Sequence, residues 1–150
     1  MSALFAFLHH VLAFLLVSTL VVEMALLKGP LTQATARQLA RTDLLYGIAA
    51  GLVVVVGFLR VYHFEKGADY YFDNTFFLLK LALFLVVGGL SLVPTLEFLT
   101  WGKSLKANTL PRVSPERIGR LRAVIMLELA GVIGMIACAA LMARGHGMPG

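Results

Sequence analysis

The chain has 150 residues, of which 59% are apolar and only 14% are charged. Soluble domains usually hold about 45–50% apolar and about 25% charged residues. Too few polar side chains are therefore present to cover a water-soluble globule of this size. The composition excludes a soluble enzyme and a disordered tail, and a single cysteine excludes a disulfide scaffold. It indicates an integral membrane protein.

Four apolar stretches are each long enough to cross a hydrocarbon core of about 30 Å, which takes about 20 residues. We predict transmembrane helices at about 4–27, 44–64, 76–99 and 121–142. The first has no basic residue ahead of it and exceeds the apolar core of a signal peptide, so we expect it to be retained. The short connections leave no room for a soluble domain. The predicted fold is all-α, a single membrane domain over 1–150 that forms an antiparallel four-helix transmembrane bundle.

The basic residues predict the orientation of this bundle. Most of them flank the first and third connections, whereas only Arg60, Lys66 and Arg144 belong to the other side. Because loops rich in Lys and Arg stay in the cytoplasm, we expect both termini to face the periplasm of a bacterial inner membrane. We attribute the net charge of +5 to this membrane orientation, which argues against nucleic acid as a partner. The residues of the cytoplasmic side are Lys28, Arg37, Arg41, Lys103, Lys106, Arg112, Arg117, Arg120 and Arg122.

Small residues recur at every fourth position on two of the helices. Gly47 and Gly51 lie on the second helix, and Ala130, Gly134 and Cys138 lie on the fourth. This spacing lets helix backbones approach closely, within one bundle or between subunits. We therefore expect a homo-oligomer in the lipid bilayer, with Cys138 as a packing residue.

Several ionisable side chains fall inside the predicted helices, where each costs about 2.5–3.5 kcal/mol on insertion scales. Antiparallel threading brings one group of them to a single level at the periplasmic side. Its three histidines are candidate metal ligands, since imidazole binds transition metals and haem iron. Equally, a histidine pair near a helix end can be interfacial, and a lysine or arginine there can extend to the headgroups. The members of this group are His9, His10, Arg60, His63 and Lys80.

A second group lies toward the cytoplasmic side, and Glu128 is its deepest member. This carboxyl group lies about 10 Å beyond the predicted start of the fourth helix, at 1.5 Å per residue. We expect it to be protonated, paired or facing a polar cavity, with Arg41 and Arg122 as candidate partners. Both an ion pair that locks helices together and a carboxyl group that handles protons fit this position. The other members of the group are Glu23, Arg41, Asp43, Glu97 and Arg122.

A resemblance to known families rests on three runs, LFAFLHHVLAFLLVSTLVVEMALLKG, ARQLARTDLLYGIAAGLVVVVGFLRVYHF and NTFFLLKLALFLVVGGLSLVPTLEFL. They resemble a family of small bacterial four-helix membrane proteins known only as a domain of unknown function. The layout is more distantly similar to HemJ-type protoporphyrinogen oxidases and to the membrane domain of CopD-type copper proteins. His10 or His9 matches the first-helix histidine of HemJ-like proteins, and Lys80 matches their third-helix lysine. Arg41 and Tyr46 loosely match an R-L-Y-like run. The resemblance implies b-type haem.

The first functional hypothesis is a b-type haem membrane oxidoreductase that exchanges electrons with a quinone or a porphyrin-like substrate. His10 or His9 would ligate the iron, and the resemblance slightly favours His10. His63 or Lys80 would take the other axial position or bond a propionate. Arg60 would neutralise a propionate charge.

Two further hypotheses remain beside the haem protein. In the haem hypothesis the candidate catalytic residues are Lys80 and Glu128, with Glu128 handling protons. A haem-free transport or ion-handling protein would instead line a polar path with Glu128, Lys80 and Glu23, and it would need oligomers because four helices make a thin pore. A structural membrane scaffold would use every buried charge to lock helices in pairs.

Overall fold

The computed structural model of the chain describes residues 2–60, 62, 72–145 and 147. These described residues contain no β-strand and form four α-helices that are each long and apolar enough to cross a membrane. The all-helical prediction with four membrane spans is confirmed. The helices are α1 (Ser2–Lys28), α2 (Gln33–Leu59), α3 (Thr75–Lys106) and α4 (Pro115–Ala143).

Three helices extend further than the hydropathy of the sequence predicts. α2 begins at Gln33 rather than at 44, α4 begins at Pro115 rather than at 121, and α3 continues to Lys106 rather than ending at 99. Hydropathy marks only the part of a helix that suits lipid, whereas capping residues set where the helix starts. The side chains of Thr32 and Ser114 each accept a backbone N–H of the first turn, and a proline follows Ser114. The first predicted connection is therefore mostly helical.

Each helix packs against two neighbours. α1 contacts α2 and α4, and α3 contacts the same two helices. At one end of the bundle the Gln33 amide donates to the Asn108 carbonyl at 2.7 Å, and the Arg37 guanidinium donates to Asn108 Oδ1 at 2.9 Å. At the other end the Thr75 N–H donates to the Gly147 carbonyl at 2.8 Å. The start of α2 thus lies beside the end of α3, and the start of α3 beside the segment that follows α4.

Midway along the bundle, the side chains that face outward and those that face the interior are both apolar. Outward-facing side chains include Phe14, Leu85 and Leu99, whose exposed fractions are 74%, 75% and 69%. An apolar exterior on four spanning helices implies contact with a lipid bilayer. Inside, the side chains that fill the middle form the apolar layer, which consists of Leu16, Leu20, Ala49, Val87, Val132 and Met135.

Glycines on two helices have different surroundings. A Cβ at Gly131 of α4 would overlap the Val87 side chain of α3, and a Cβ at Gly134 would lie 3.3 Å from a leucine methyl group of α3. Gly47 and Gly51 on α2 are exposed, and a Cβ at either would meet no described atom within 4 Å. Small residues therefore allow close packing inside the bundle on α4, whereas on α2 they face outward.

Candidate functional site

Three basic side chains from three helices converge inside one end of the bundle. His9 comes from α1, Arg60 from the end of α2 and Lys80 from the second turn of α3. Each lies within electrostatic range of the other two, and all three are half-buried. We call these residues the basic cluster. The structure thus brings together three of the five residues that the sequence placed at one level.

His9 presents its ring to α2. A Cβ built on Gly57 would lie 3.7 Å from His9 Cε1, which is ordinary van der Waals contact, so the imidazole packs directly against α2 at this glycine. The Nδ1 atom of His9 is buried and has no hydrogen-bond partner among the described residues. Leaving a buried polar atom unpaired costs about 1–3 kcal/mol. This ring nitrogen lies 3.9 Å from a Cβ built on Gly57 and is a buried polar atom of the basic cluster that the described residues leave without a partner.

His10 points away from the basic cluster. It is exposed, and its Nδ1 donates to the Ala6 carbonyl of its own helix at 2.6 Å. The rings of His9 and His10 are nearly perpendicular, with an interplanar angle of 89°. The histidine that the sequence slightly favours is thus the outward one of the pair. His63 lies outside the described residues, so its role stays a prediction.

Lys80 has neighbours on three other helices. Besides Arg60 and His9, its ammonium group lies within electrostatic range of Cys138 on α4. Its Nζ atom is 5.7 Å from the ring centroid of Phe77, one turn earlier on α3, where a cation–π contact is possible. These neighbours place the lysine at the interior side of α3, where it could meet a ligand between the helices.

Three carboxyl groups meet in the other half of the bundle. Glu23 of α1, Asp43 of α2 and Glu128 of α4 have exposed fractions of 0%, 6% and 0%, and they lie within electrostatic range of one another. We call them the acidic cluster. The Thr95 hydroxyl of α3 donates to Asp43 Oδ2 at 2.8 Å. The buried phenol of Tyr46 interacts with all three carboxyl groups.

The sequence analysis grouped Glu23, Asp43 and Glu128 on the cytoplasmic side with Arg41, Glu97 and Arg122, but it did not single out the three carboxyl groups as one site. It placed Asp43 in a connection because the predicted helix began at residue 44. The signal that could have found it is the capping threonine Thr32, which starts α2 eleven positions before Asp43 and so moves this aspartate into the helix. All four helices then contribute to the site, since Thr95 comes from α3.

The arginines expected to pair with Glu128 do not do so. Arg41 and Arg122 are exposed, and neither carboxyl oxygen of Glu128 has a hydrogen-bond partner in the part of the chain that the structure describes. The basic side chains near the helix ends extend outward instead. An ion pair does join α3 and α4, but it links Glu97 with Arg117. The two predicted partners of Glu128 are therefore wrong.

The ligand chemistry of both clusters is limited by the number of side chains that converge. Within the described ranges, no group of three or more His, Cys, Asp or Glu side chains is arranged to hold a metal ion. A haem iron takes four ligands from the porphyrin and needs only one or two from the protein. A haem would therefore need from this site only an imidazole such as that of His9, with Lys80 and Arg60 beside it for the propionates.

The fold and its two clusters define a four-helix membrane protein with ionisable groups inside. The chain belongs to the family described as "Predicted membrane protein (DUF2214)", which it matches over residues 1–147. No curated protein and no solved structure matches the chain. The resemblance to a family of unknown function is confirmed, and the more distant similarity to HemJ-type and CopD-type proteins stays a prediction.

Proposed function

We propose that this protein is a b-type haem protein of the bacterial inner membrane, an oxidoreductase that exchanges electrons with a quinone or a porphyrin-like substrate. The observation that carries the proposal is the half-buried ring of His9. Its buried Nδ1 has no hydrogen-bond partner among the described residues, and Lys80 and Arg60 lie beside it. Haem would supply one-electron chemistry at this position. The positive-inside rule assigns the basic cluster to the periplasmic side.

The residues of the basic cluster have complementary tasks in this proposal. His9 offers a neutral imidazole, which is the form that ligates iron. Lys80 and Arg60 offer charge-assisted hydrogen bonds to the propionates, whose negative charges are costly inside a membrane without cationic partners. His63 or Lys80 is the candidate for the second axial position.

An absorption spectrum of the detergent-purified protein, expressed with ample haem, tests the proposal. We expect a Soret band that shifts on reduction. His9→Ala should lose most of this band, because the ligand is removed. The matched control is His10→Ala, which changes the same residue type one position later on the outward face and should keep the band.

Two results would contradict the proposal. A wild-type protein without a Soret band would exclude haem binding. A band that survives His9→Ala but disappears in His10→Ala would keep the haem and overturn the assignment of its ligand.

A haem-free ion-handling protein is the second candidate, and the acidic cluster is the observation that favours it. Buried carboxyl groups inside a membrane are typical of ion and proton pathways. The outward-facing Gly47 and Gly51 would then serve helix contacts in a homo-oligomer. A colourless, oligomeric preparation that dissipates a proton gradient in liposomes would favour this function. A colourless preparation without such activity would favour a scaffold.

A further inference from the structure

The burial of three carboxyl groups in the acidic cluster requires its own explanation, since haem binding at the basic cluster does not account for it. Three carboxylates in a low-dielectric interior repel one another strongly. The described residues give neither Glu23 nor Glu128 a hydrogen-bond donor that would stabilise a negative charge. Arg41 and Arg122, the nearest basic residues in the sequence, are exposed. The group is stable inside the membrane only if something positive binds to it.

Asp43 and Glu23 form the first part of the site. Two ionised carboxylates cannot hydrogen-bond each other, but a protonated one can donate to the other. The Glu23 and Asp43 carboxyl groups lie within electrostatic range of each other, where protonation of one would allow such a bond. Asp43 already accepts the Thr95 hydroxyl at 2.8 Å, whereas neither oxygen of Glu23 has a hydrogen-bond partner in the described residues. Asp43 is therefore the acceptor, and Glu23 is the group that donates its proton.

Glu128 provides a second, separate observation. Its side chain is completely buried, both oxygens lack a hydrogen-bond partner within the described residues, and its carboxyl group lies within electrostatic range of Asp43. Glu23 of α1 and Tyr46 of α2 are also within electrostatic range of it. On α3 the nearest carboxyl group in sequence to Thr95 is that of Glu97, whose charge is met by Arg117.

We propose that Glu23, Asp43 and Glu128 form one proton-binding site inside the membrane. Asp43 accepts hydrogen bonds from Thr95 and from protonated Glu23, and Glu128 binds and releases the exchangeable proton. A proton fits better than a metal cation, because in the described residues no three His, Cys, Asp or Glu side chains lie close enough together to hold a metal ion. The site does not depend on haem in the basic cluster, since the apolar layer separates the two.

Labelling with dicyclohexylcarbodiimide tests this site in the wild-type protein. The O–H of a protonated carboxyl group adds across a C=N bond of this apolar reagent, with its oxygen on carbon and its proton on nitrogen, so the adduct reports protonated carboxyl groups within the membrane. Mass spectrometry of peptides should locate the adduct on Glu128 or Glu23. Labelling should be strongest at acidic pH and should be lost as the pH rises. Glu97, paired with Arg117, and the exposed Glu116 serve as internal controls and should remain unlabelled.

Asp43→Asn tests whether the three groups act together. The variant keeps the shape and an acceptor for Thr95 but removes a negative neighbour of Glu23 and Glu128. The negative charge of Asp43 disfavours the ionisation of Glu23 and Glu128. Without this charge both groups should lose their protons at a lower pH, so labelling should disappear at a lower pH than in the wild type. The matched control is Glu97→Gln, which removes a carboxylate from α3 and should leave the labelling profile unchanged.

Three outcomes would overturn the proposal. The first is no adduct on any of the three residues at any pH. The second is labelling of Glu97 or Glu116 to the same extent. The third is protection of Glu128 by sodium or potassium chloride at constant pH, which would show that a metal cation is the ligand. None of these readouts involves the Soret band, so a failure here is distinct from a failure of haem binding.

Discussion

The two clusters differ in charge, depth and burial. The basic cluster is half-buried and lies close to helix ends, whereas the acidic cluster is almost completely buried. Along α1, His9 and Glu23 are about 21 Å apart at 1.5 Å per residue. The apolar layer fills the space between them. Among the described residues, the carboxyl groups of the acidic cluster are thus kept apart from the cationic side chains of the basic cluster.

This separation distinguishes the clusters from structural ion pairs. The chain does form such a pair where helices need one, because Glu97 of α3 bonds Arg117 of α4. Like-charged groups that lie close together destabilise the fold when no ligand is bound. Ionisable groups whose protonation is strongly perturbed by their surroundings concentrate at functional sites. In the two proposals above, the basic cluster would bind the anionic propionates of haem and the acidic cluster would bind a proton.

The largest expected effect concerns the side of the membrane that each cluster faces. In a Cys138→Ala background, Ala34→Cys marks the end nearer the acidic cluster and Asp73→Cys the end nearer the basic cluster; both positions are exposed. An impermeant maleimide should label only residue 73 in intact cells and both residues after permeabilisation, because the positive-inside rule puts α2's start in the cytoplasm. Labelling of residue 34 alone in intact cells would invert the orientation.

The sequence predicts the class of fold better than the rotation of each helix. Hydropathy alone locates four spanning helices, because lipid selects for apolar length. Which of two adjacent histidines faces inward depends on how α1 is rotated in the bundle. A signal for it was present: His9 precedes the buried Leu16 by seven residues, and Glu23 follows Leu16 by seven, so the three share one helix face.

Contacts between distant segments explain what the sequence leaves open. The acidic cluster depends on Asp43 of α2 meeting Glu23 of α1 and Thr95 of α3. No local pattern relates these three positions, since their proximity follows from the packing of whole helices. The sequence could assign Glu23, Asp43 and Glu128 to one side of the membrane, but it could not show that these three carboxyl groups meet while Glu97 pairs with Arg117.

Packing between the two clusters gives the next largest effect. Gly131→Leu would drive a side chain into Val87 at the apolar layer, and overpacking of this kind costs about 3 kcal/mol. Thermal unfolding in detergent should therefore begin at a clearly lower temperature. Gly47→Leu is the matched control, because Gly47 is exposed and a Cβ there meets no described atom within 4 Å. Equal losses in the two variants would show that α3 and α4 do not approach closely at Gly131.

The hydrogen bond to Asp43 gives a smaller effect, confined to the acidic cluster. Thr95→Val removes the hydroxyl that donates to Asp43 at 2.8 Å and keeps the side-chain shape. Hydrogen bonds to charged groups contribute about 1.5–3 kcal/mol, so the free energy of unfolding should fall by about 1.5 kcal/mol. Thr100→Val is the control, because the Thr100 hydroxyl donates only to the Glu97 carbonyl in its own helix and is exposed. An unchanged Thr95→Val protein would mean that Asp43 does not rely on this donor.

The ion pair between α3 and α4 gives the smallest effect. Arg117 is 45% exposed and its partner Glu97 is 16% exposed, and pairs of this kind contribute about 0.2–1 kcal/mol. Glu97 has a second partner that does not depend on Arg117, because the indole N–H of Trp101 donates to Glu97 Oε1 at 3.2 Å. Arg117→Ala should therefore lower the unfolding temperature only slightly, and by less at high ionic strength because salt screens an exposed pair. Arg120→Ala removes an exposed arginine one turn later and is the control. If Arg117→Ala instead destabilised the protein as much as Gly131→Leu, charge rather than apolar packing would hold these two helices together, and the distinction between the clusters and the structural ion pair would no longer stand.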